Sequence, residues 1–249
     1  MSAAEIPQPW QRRPNAGAKL PDYAHPPLVR VKLRVGFSPQ PLNPDSEASF
    51  QGKLGPDWQL QKRSTDDVTA IVWTTRLGDQ QITLLEYGLD YRWNGQAGEL
   101  YPHYPLVREG FVSVWNAWCD AIASTPAVAK WSVEYVNQIP QGTVWTSLAD
   151  CSFLRWMTPL PVIEGLSAPE GIGARWRFPL NRFDARLNVN LDSDVEVRNS
   201  LKLSLHCYGG IPHPDDTFLA GFDYGREVIV RTFRQLMQPA ANEFWGLKA

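Results

Sequence analysis

Asp216-Thr-Phe-Leu-Ala-Gly-Phe-Asp-Tyr-Gly-Arg-Glu-Val-Ile-Val-Arg-Thr-Phe-Arg-Gln-Leu-Met237 is the stretch on which the reading of this chain turns. Within it Phe218, Phe222, Ile229, Phe233 and Leu236 recur at helical spacing and define one apolar face. Pro239 closes the segment, because a proline that follows a helix cannot extend its hydrogen-bond ladder. Asp215 or Asp216 fits the N-cap, where a side chain accepts a backbone N–H bond. A short tail containing Phe244-Trp-Gly-Leu247 follows. An amphipathic helix must bury its stripe against another layer, so the rest of the chain has to supply one.

Working outward, the upstream sequence supplies strands. In residues 28–37, Val29, Val31, Leu33, Val35 and Phe37 alternate with Arg30, Lys32 and Arg34, the period-two pattern of a strand with one buried face. Residues 58–62, 68–76 and 82–91 also suit strands, with Gly78-Asp79 as a hairpin turn and Asn94-Gly95 as a second turn. A short helical turn fits at 45–50. Residues 104–124 return to helical period, with Val107, Phe111, Val114, Trp118 and Ile122 on one face. Pro105 suits the first turn of that helix, and Ser124-Thr-Pro126 stops it.

The order then repeats. Trp131, Val133 and Tyr135 alternate with Ser132 and Glu134; a mixed, partly helical segment at 143–157 follows; then come strands at 173–180, 185–191 and 201–207, and the long helix. The expected fold class is therefore α+β: two similar halves, each a strand, an irregular segment, three strands and a long helix covering one face of an antiparallel sheet. The two sheets can join edge to edge, hiding two strand edges, or remain separate near Pro126. The expected divisions are a Pro-rich extended arm at 1–27, a first half at 28–126 and a second half at 127–249.

Composition narrows the function classes. With 43% hydrophobic and 20% charged residues the chain is expected to be globular rather than disordered. No apolar run approaches the roughly 20 residues that span a bilayer, and no basic end precedes an apolar stretch at Met1, so no membrane partner and a cytoplasmic location are expected. Cys119, Cys151 and Cys207 are widely spaced and odd in number, which argues for buried thiols over a disulfide scaffold or a zinc site. A net charge of −2 gives no global basic field for nucleic acid. Eleven tryptophans favour partner or ligand contact, because an indole combines large apolar area with one polar handle.

Several segments together resemble a sporadically distributed family of uncharacterised bacterial proteins of about this length. They are His25-Pro-Pro27 before the first strand, Tyr101-Pro-x-Tyr104 opening the first long helix, Val133-Glu-Tyr-Val-Asn-Gln-Ile-Pro140, and Gly221-x-x-x-Gly-Arg-Glu-x-Ile-Val-x-x-Phe233 with a terminal Phe-Trp-Gly246. The resemblance implies no activity, substrate or cofactor, and carries no catalytic residue onto this chain.

Three clusters could support chemistry. Tyr101, His103 and Tyr104 stand at the start of a helix, where aromatic and imidazole groups beside free N–H donors can hold a ligand; the alternative is a packed loop whose hydroxyls bond to backbone. His206 and His213, with Cys207, Asp215 and Asp216 near by, include zinc-ligand types, but alternation sends His206 and Cys207 to opposite faces, so no metal site is expected. Arg30, Lys32 and Arg34 form a cationic strip that either binds a partner or is solvated. Glu227 and Arg231 are spaced to pair along the last helix. Phosphate-loop, dinucleotide, nucleophile-elbow and His-Glu-x-x-His motifs are all missing, so no catalytic residue and no cofactor is assigned.

The leading expectation is a binding or assembly protein that acts through an aromatic-rich surface on a protein partner or on itself, more plausibly not an enzyme. One alternative is an enzyme or small-ligand sensor with its site between the halves. Another is single-stranded nucleic-acid binding on the cationic sheet face, which the acidic net charge disfavours.

Overall fold

The computed structural model describes residues 20–65, 68–95, 101–159, 161, 164–167, 169–193, 197, 199–213 and 215–248. Most of the expected arm, including Pro7, Pro9 and Pro14, and part of the connection expected at 192–194 therefore lie outside the described residues. The elements run β1 (Asp22–Tyr23), β2 (Leu28–Phe37), α1 (Pro44–Leu54), β3 (Trp58–Thr65), β4 (Val68–Thr75), β5 (Gln80–Leu85), β6 (Gly88–Asn94), α2 (Tyr104–Ala121), β7 (Val128–Pro140), β8 (Gly173–Pro179), β9 (Arg186–Ser193), β10 (Ser200–Gly210), α3 (Phe218–Leu236), α4 (Pro239–Phe244) and β11 (Leu247–Lys248). The architecture is α+β, with nine strands in one antiparallel sheet ordered β3-β4-β5-β6-β2-β7-β10-β9-β8.

The β2–β7 pairing is the seam of this sheet. Val31 lies opposite Tyr135, Leu33 opposite Val133 and Val35 opposite Trp131, so the alternation read in residues 28–37 continues across the strand boundary on one buried face. The next residue along, on the other side, gives Lys32 opposite Glu134 and Arg34 opposite Ser132. The sheet thus runs unbroken through the point near Pro126 where separate halves could have parted.

Two glycines let α3 approach this seam. A Cβ at Gly221 would meet Trp131 at 2.6 Å and one at Gly225 would meet it at 2.8 Å, well inside van der Waals contact. The fully enclosed Trp131 indole, which donates to the Gly210 carbonyl at 2.9 Å, fills the space a side chain would need. Elsewhere on the sheet, Gly110 of α2 faces the Tyr91 ring in the same way. Helices α2 and α3 meet through Phe111, whose ring centroid is 4.9 Å from that of Phe222 in an edge-on arrangement favoured by the ring quadrupoles.

Three local expectations need correction. Residues 82–91 form two strands, not one, because a turn at Glu86-Tyr87 separates β5 from β6. The buried positions change parity across it, from Ile82 and Leu84 to Leu89, Tyr91 and Trp93. The N-cap of α3 is Thr217, whose hydroxyl accepts from the Ala220 N–H at 3.1 Å, and not Asp215 or Asp216. The segment 143–157 contains turns and an isolated bridge from Leu154 to Met237 but no helix. Pro239 does follow the end of α3, and it also begins the short α4 at the position where proline costs no hydrogen bond.

The two ends of the described chain are clasped together. β1 pairs with β11, Ala24 N–H donates to the Gly246 carbonyl at 3.0 Å and His25 N–H to that of Trp245 at 3.1 Å. Gly246 has φ +66 and a Cβ there would strike Ala24, so glycine is required twice over. Tyr23 donates to Asn242 Oδ1 at 2.7 Å, and the Asn242 amide in turn donates to the Arg234 carbonyl at 3.1 Å, fixing the clasp to the end of α3.

Candidate functional site

Beneath this clasp lies a cavity of about 440 Å³, walled by residues 21–27 of the arm, the start of β2, the start of α2, β7, one side of α3 and the tail at Phe244 and Trp245. Its volume falls in the range of small-molecule sites, roughly 300–1,000 Å³. Most of the wall is apolar: Leu28, Leu205, Ile229, Val230, Phe233 and Trp245 line it together with prolines of the arm. Polar residues of the wall are Asp22, His25, Asn137, Gln138 and Thr143 and, at the start of α2, a further cluster.

There Tyr101 and Tyr135 stand with their hydroxyls 3.2 Å apart, so one donates to the other and a single O–H remains uncommitted between them. Tyr104 donates to Asp223 Oδ1 at 2.8 Å, and Arg108 grips the same carboxylate from Nε at 3.0 Å and Nη2 at 3.3 Å. Asp223 thereby ties α2 to α3. One turn further along α3, the Arg226 guanidinium stacks on the Tyr104 ring, its Cζ 4.9 Å from the centroid. The Nε of Arg226 is buried and has no hydrogen-bond partner among the described residues.

Burial raises the pKa of Tyr101, Tyr104 and Tyr135 alike, since a phenolate would be stranded in a low-dielectric wall. For Tyr101 the neighbouring Tyr135 raises it further, and for Tyr104 the Asp223 carboxylate does so. Arg226 opposes the shift at both Tyr101 and Tyr135, which puts its charge beside that hydroxyl pair. At neutral pH all three phenols therefore keep their protons and act as donors.

His103, immediately before α2, adopts φ 66 and ψ 149, a backbone region that glycine alone enters freely. It makes no side-chain cap to the helix; its ring stands 5.8 Å from that of Tyr101. Such a conformation costs on the order of 1–3 kcal/mol and persists only where the surroundings enforce it.

Of the residues singled out in the sequence, Tyr101, His103 and Tyr104 thus converge on one cavity. Their hydroxyl partners are side chains rather than the backbone groups a packed loop would have offered. His206 and His213 are elsewhere. His206 is on the opposite, polar face of the sheet across from Glu134, and burial lowers its pKa although Glu134 opposes the shift. His213 is exposed in the turn after β10. No group of three or more His, Cys, Asp or Glu among the described residues is placed to hold a metal ion. Cys151 and Cys207 are buried, whereas Cys119 is only half-buried.

Arg30, Lys32 and Arg34 share the polar face with Arg92, Lys130, Arg175, Arg177, Arg186 and Lys202, against the carboxylates of Asp90, Glu134 and Asp192. Part of this charge is matched: Arg30 is 3.5 Å and Lys32 3.9 Å from Glu134, and Arg34 is 3.3 Å from Asp90. Still, cations outnumber carboxylates threefold on this face of a chain whose net charge is −2.

Sequence reasoning missed Tyr135, Asp223 and Arg226 as site residues. Tyr135 reads as one more buried position in an alternating strand, and Asp223 and Arg226 as solvated charges on a helix. Their spacing of three did place them on one helical face, which was the available signal. The tryptophans among the described residues point inward: Trp73, Trp93, Trp115, Trp118, Trp131, Trp145 and Trp245 are buried, and Trp58, Trp156 and Trp176 half-buried. Among the described residues no helix is long and apolar enough to cross a membrane. Neither protein-family models nor curated proteins match this chain.

Proposed function

We propose that this protein binds a small molecule in the cavity beneath the clasp and acts as a binder or sensor. The observation that carries this reading is a mostly apolar cavity of about 440 Å³ lined by Tyr101, Tyr104, Tyr135 and by Arg226, whose buried Nε has no hydrogen-bond partner among the described residues. Sites of this kind combine apolar burial with a few orienting donors. Binding is favoured over catalysis because the phenols of the described wall keep their protons and Asp22 is ion-paired, and because His25 and His103, which also line it, make no side-chain hydrogen bond to another wall residue among the described residues.

The site draws on two parts of the chain that we take to be structurally similar halves. Strand order outward from the seam, β2-β6-β5-β4-β3 on one side and β7-β10-β9-β8 on the other, supports that correspondence except for the extra edge strand β3, which makes four further strands in the first half where three were expected; the matching positions of α2 and α3 in sequence support it too. Tyr101 and Tyr104 come from the first half, Tyr135 and Arg226 from the second. The expectation of an aromatic binding surface loses support from the inward placement of the tryptophans.

The test is a fragment screen by saturation-transfer NMR on the full chain and on Val230→Trp, which fills the cavity from α3. Hits that disappear in the filled variant are expected. A screen without hits, or with hits indifferent to filling, contradicts the reading.

A second reading is favoured by the cation excess on the polar face, where Nε of Arg30 and Nε of Arg92 are buried without hydrogen-bond partners among the described residues. That face would take a polyanion such as single-stranded nucleic acid. Binding to an oligothymidylate should then weaken steeply with salt, as counterion release requires; absence of binding at low salt removes it.

A further inference from the structure

Resting on the cavity reading above, we infer that the ligand is a small monocarboxylate with an aromatic or alicyclic body, its carboxylate held by Arg226 and the Tyr101–Tyr135 hydroxyl pair. The reasoning is one of donors and acceptors. Two hydroxyls 3.2 Å apart can share only one hydrogen bond between them, so one proton is left for a third group. The Nε–H of Arg226 is a second uncommitted donor, and it is charged. A buried guanidinium nitrogen without an acceptor carries a desolvation cost that only an incoming acceptor removes.

Within the described wall the Arg226 side chain hydrogen-bonds to the neutral Tyr135 hydroxyl, and no carboxylate is free to face it. Asp223 is engaged by Tyr104 and Arg108, and Asp22, the carboxylate of the wall, is held by Lys248 at 2.8 Å. What the polar end lacks is therefore an anion. One cation with one free hydroxyl matches the two oxygens of a carboxylate better than the heavier charge of a phosphate, for which helix N–H arrays or several cations are usual.

The body of the ligand follows from the opposite wall. Ile229, Phe233 and Trp245 present aliphatic and aromatic surface that contributes by desolvation and, with the two rings, by edge-on contacts. The Arg226 guanidinium already lies over the Tyr104 ring, its Cζ 4.9 Å from the centroid, so little side-chain freedom is lost when it engages an anion. A rigid, flat acid would occupy this space with its charged end toward α2 and its ring beneath the clasp.

The experiment is calorimetric titration of the full chain at pH 7 with 2-naphthylacetate, its amide, and 2-naphthylethylamine. These share one apolar body and differ in the charge of the head group. The acid is expected to bind at least about tenfold more tightly than the amide, the difference a charge-assisted hydrogen bond supports, with the amine weakest. Arg226→Gln should abolish the preference for the acid while leaving amide affinity within about threefold. Because loss of the stacked guanidinium could disturb Tyr104, Tyr101→Phe provides a second variant, expected to shrink the preference without touching that stack. Equal affinity for acid and amide in the unaltered protein overturns the carboxylate assignment and leaves the cavity reading standing. An acid preference that survives both substitutions, or binding that Val230→Trp does not reduce, overturns it as well by locating the acid elsewhere. If none of the three compounds binds at millimolar concentration the assignment fails; the cavity reading fails with it only when the fragment screen also finds no cavity-dependent hit.

Discussion

The two faces of the nine-stranded sheet come from the same strands and the same period-two alternation, yet they are built on opposite terms. The face toward α2 and α3 encloses Leu33, Trp131, Val133 and Leu205 completely or nearly so, and its few polar groups include Tyr101, Tyr104, Tyr135 and Arg226 around a cavity. The face bearing Lys32, Glu134 and His206 is a lattice of half-buried charges with partial pairing. The first face spends almost all its area on packing, so its unsatisfied donors stand out. On the second, solvent can reach most charges, so an unmatched cation says much less. Concentration of polarity in an otherwise apolar wall is thus the better pointer to a site than abundance of charge.

The largest expected effect falls on the packed face. Trp131→Ala should cost about 3–5 kcal/mol, as for other large-to-small core substitutions, because the indole fills the gap that Gly221 and Gly225 leave. Chemical denaturation checks this. By contrast Lys32→Gln on the polar face should change stability by less than about 1 kcal/mol, since exposed ion pairs contribute little. Comparable costs for the two would erase the distinction between the faces.

Next comes the link between the helices. Asp223→Asn removes the charge and one of the two acceptor oxygens that Tyr104 and Arg108 use, leaving a neutral amide oxygen, and should cost about 1 kcal/mol, reduced from the buried case because Asp223 is half exposed. An effect of similar size and opposite sign is expected at His103. Replacement by glycine, which tolerates φ 66, should raise stability by about 1 kcal/mol in thermal denaturation. A loss of stability there would mean that the imidazole contributes more than its backbone costs.

The polar face supplies the smallest prediction, one of pH. The folded pKa of His206 lies below the ordinary value of 6.5 because burial disfavours imidazolium; Glu134 opposes this, while Lys32 and Arg34 reinforce it. As pH falls below that value the unfolded chain binds a proton that the folded chain resists, so stability is present above it and declines below it. His206→Gln should therefore lose less stability between about pH 7 and pH 5 than the parent chain. An identical decline would assign the pH dependence to other groups.

Much of this architecture was legible in the sequence, and the reason is periodicity. Phe218, Phe222, Ile229 and Phe233 could face one way only as a helix, and Arg186 to Leu191 or Leu201 to Cys207 only as strands. Glu227 and Arg231, four apart, pair at 2.9 Å as helical geometry dictates. The hairpin inside residues 82–91 was missed because Glu86-Tyr87 carries no glycine or proline signal; the parity shift from Leu84 to Leu89 was its trace. The cavity was half legible. Tyr101, His103 and Tyr104 are adjacent in sequence and could be grouped, but Tyr135 and Arg226 join them only through the β2–β7 seam and the crossing of α3, contacts over long sequence separations that no local pattern encodes.

The central claim is that the cavity between α2, β7, α3 and the tail is a ligand site organised around Arg226. A crystal structure of the full chain with the most tightly bound naphthyl acid tests it most directly. The account predicts the acid in the cavity, its carboxylate within about 3.2 Å of an Arg226 nitrogen and of a Tyr101 or Tyr135 hydroxyl, with its ring against Phe233 and Trp245. An acid bound elsewhere, or bound in the cavity with its carboxylate turned away from Arg226, would contradict it.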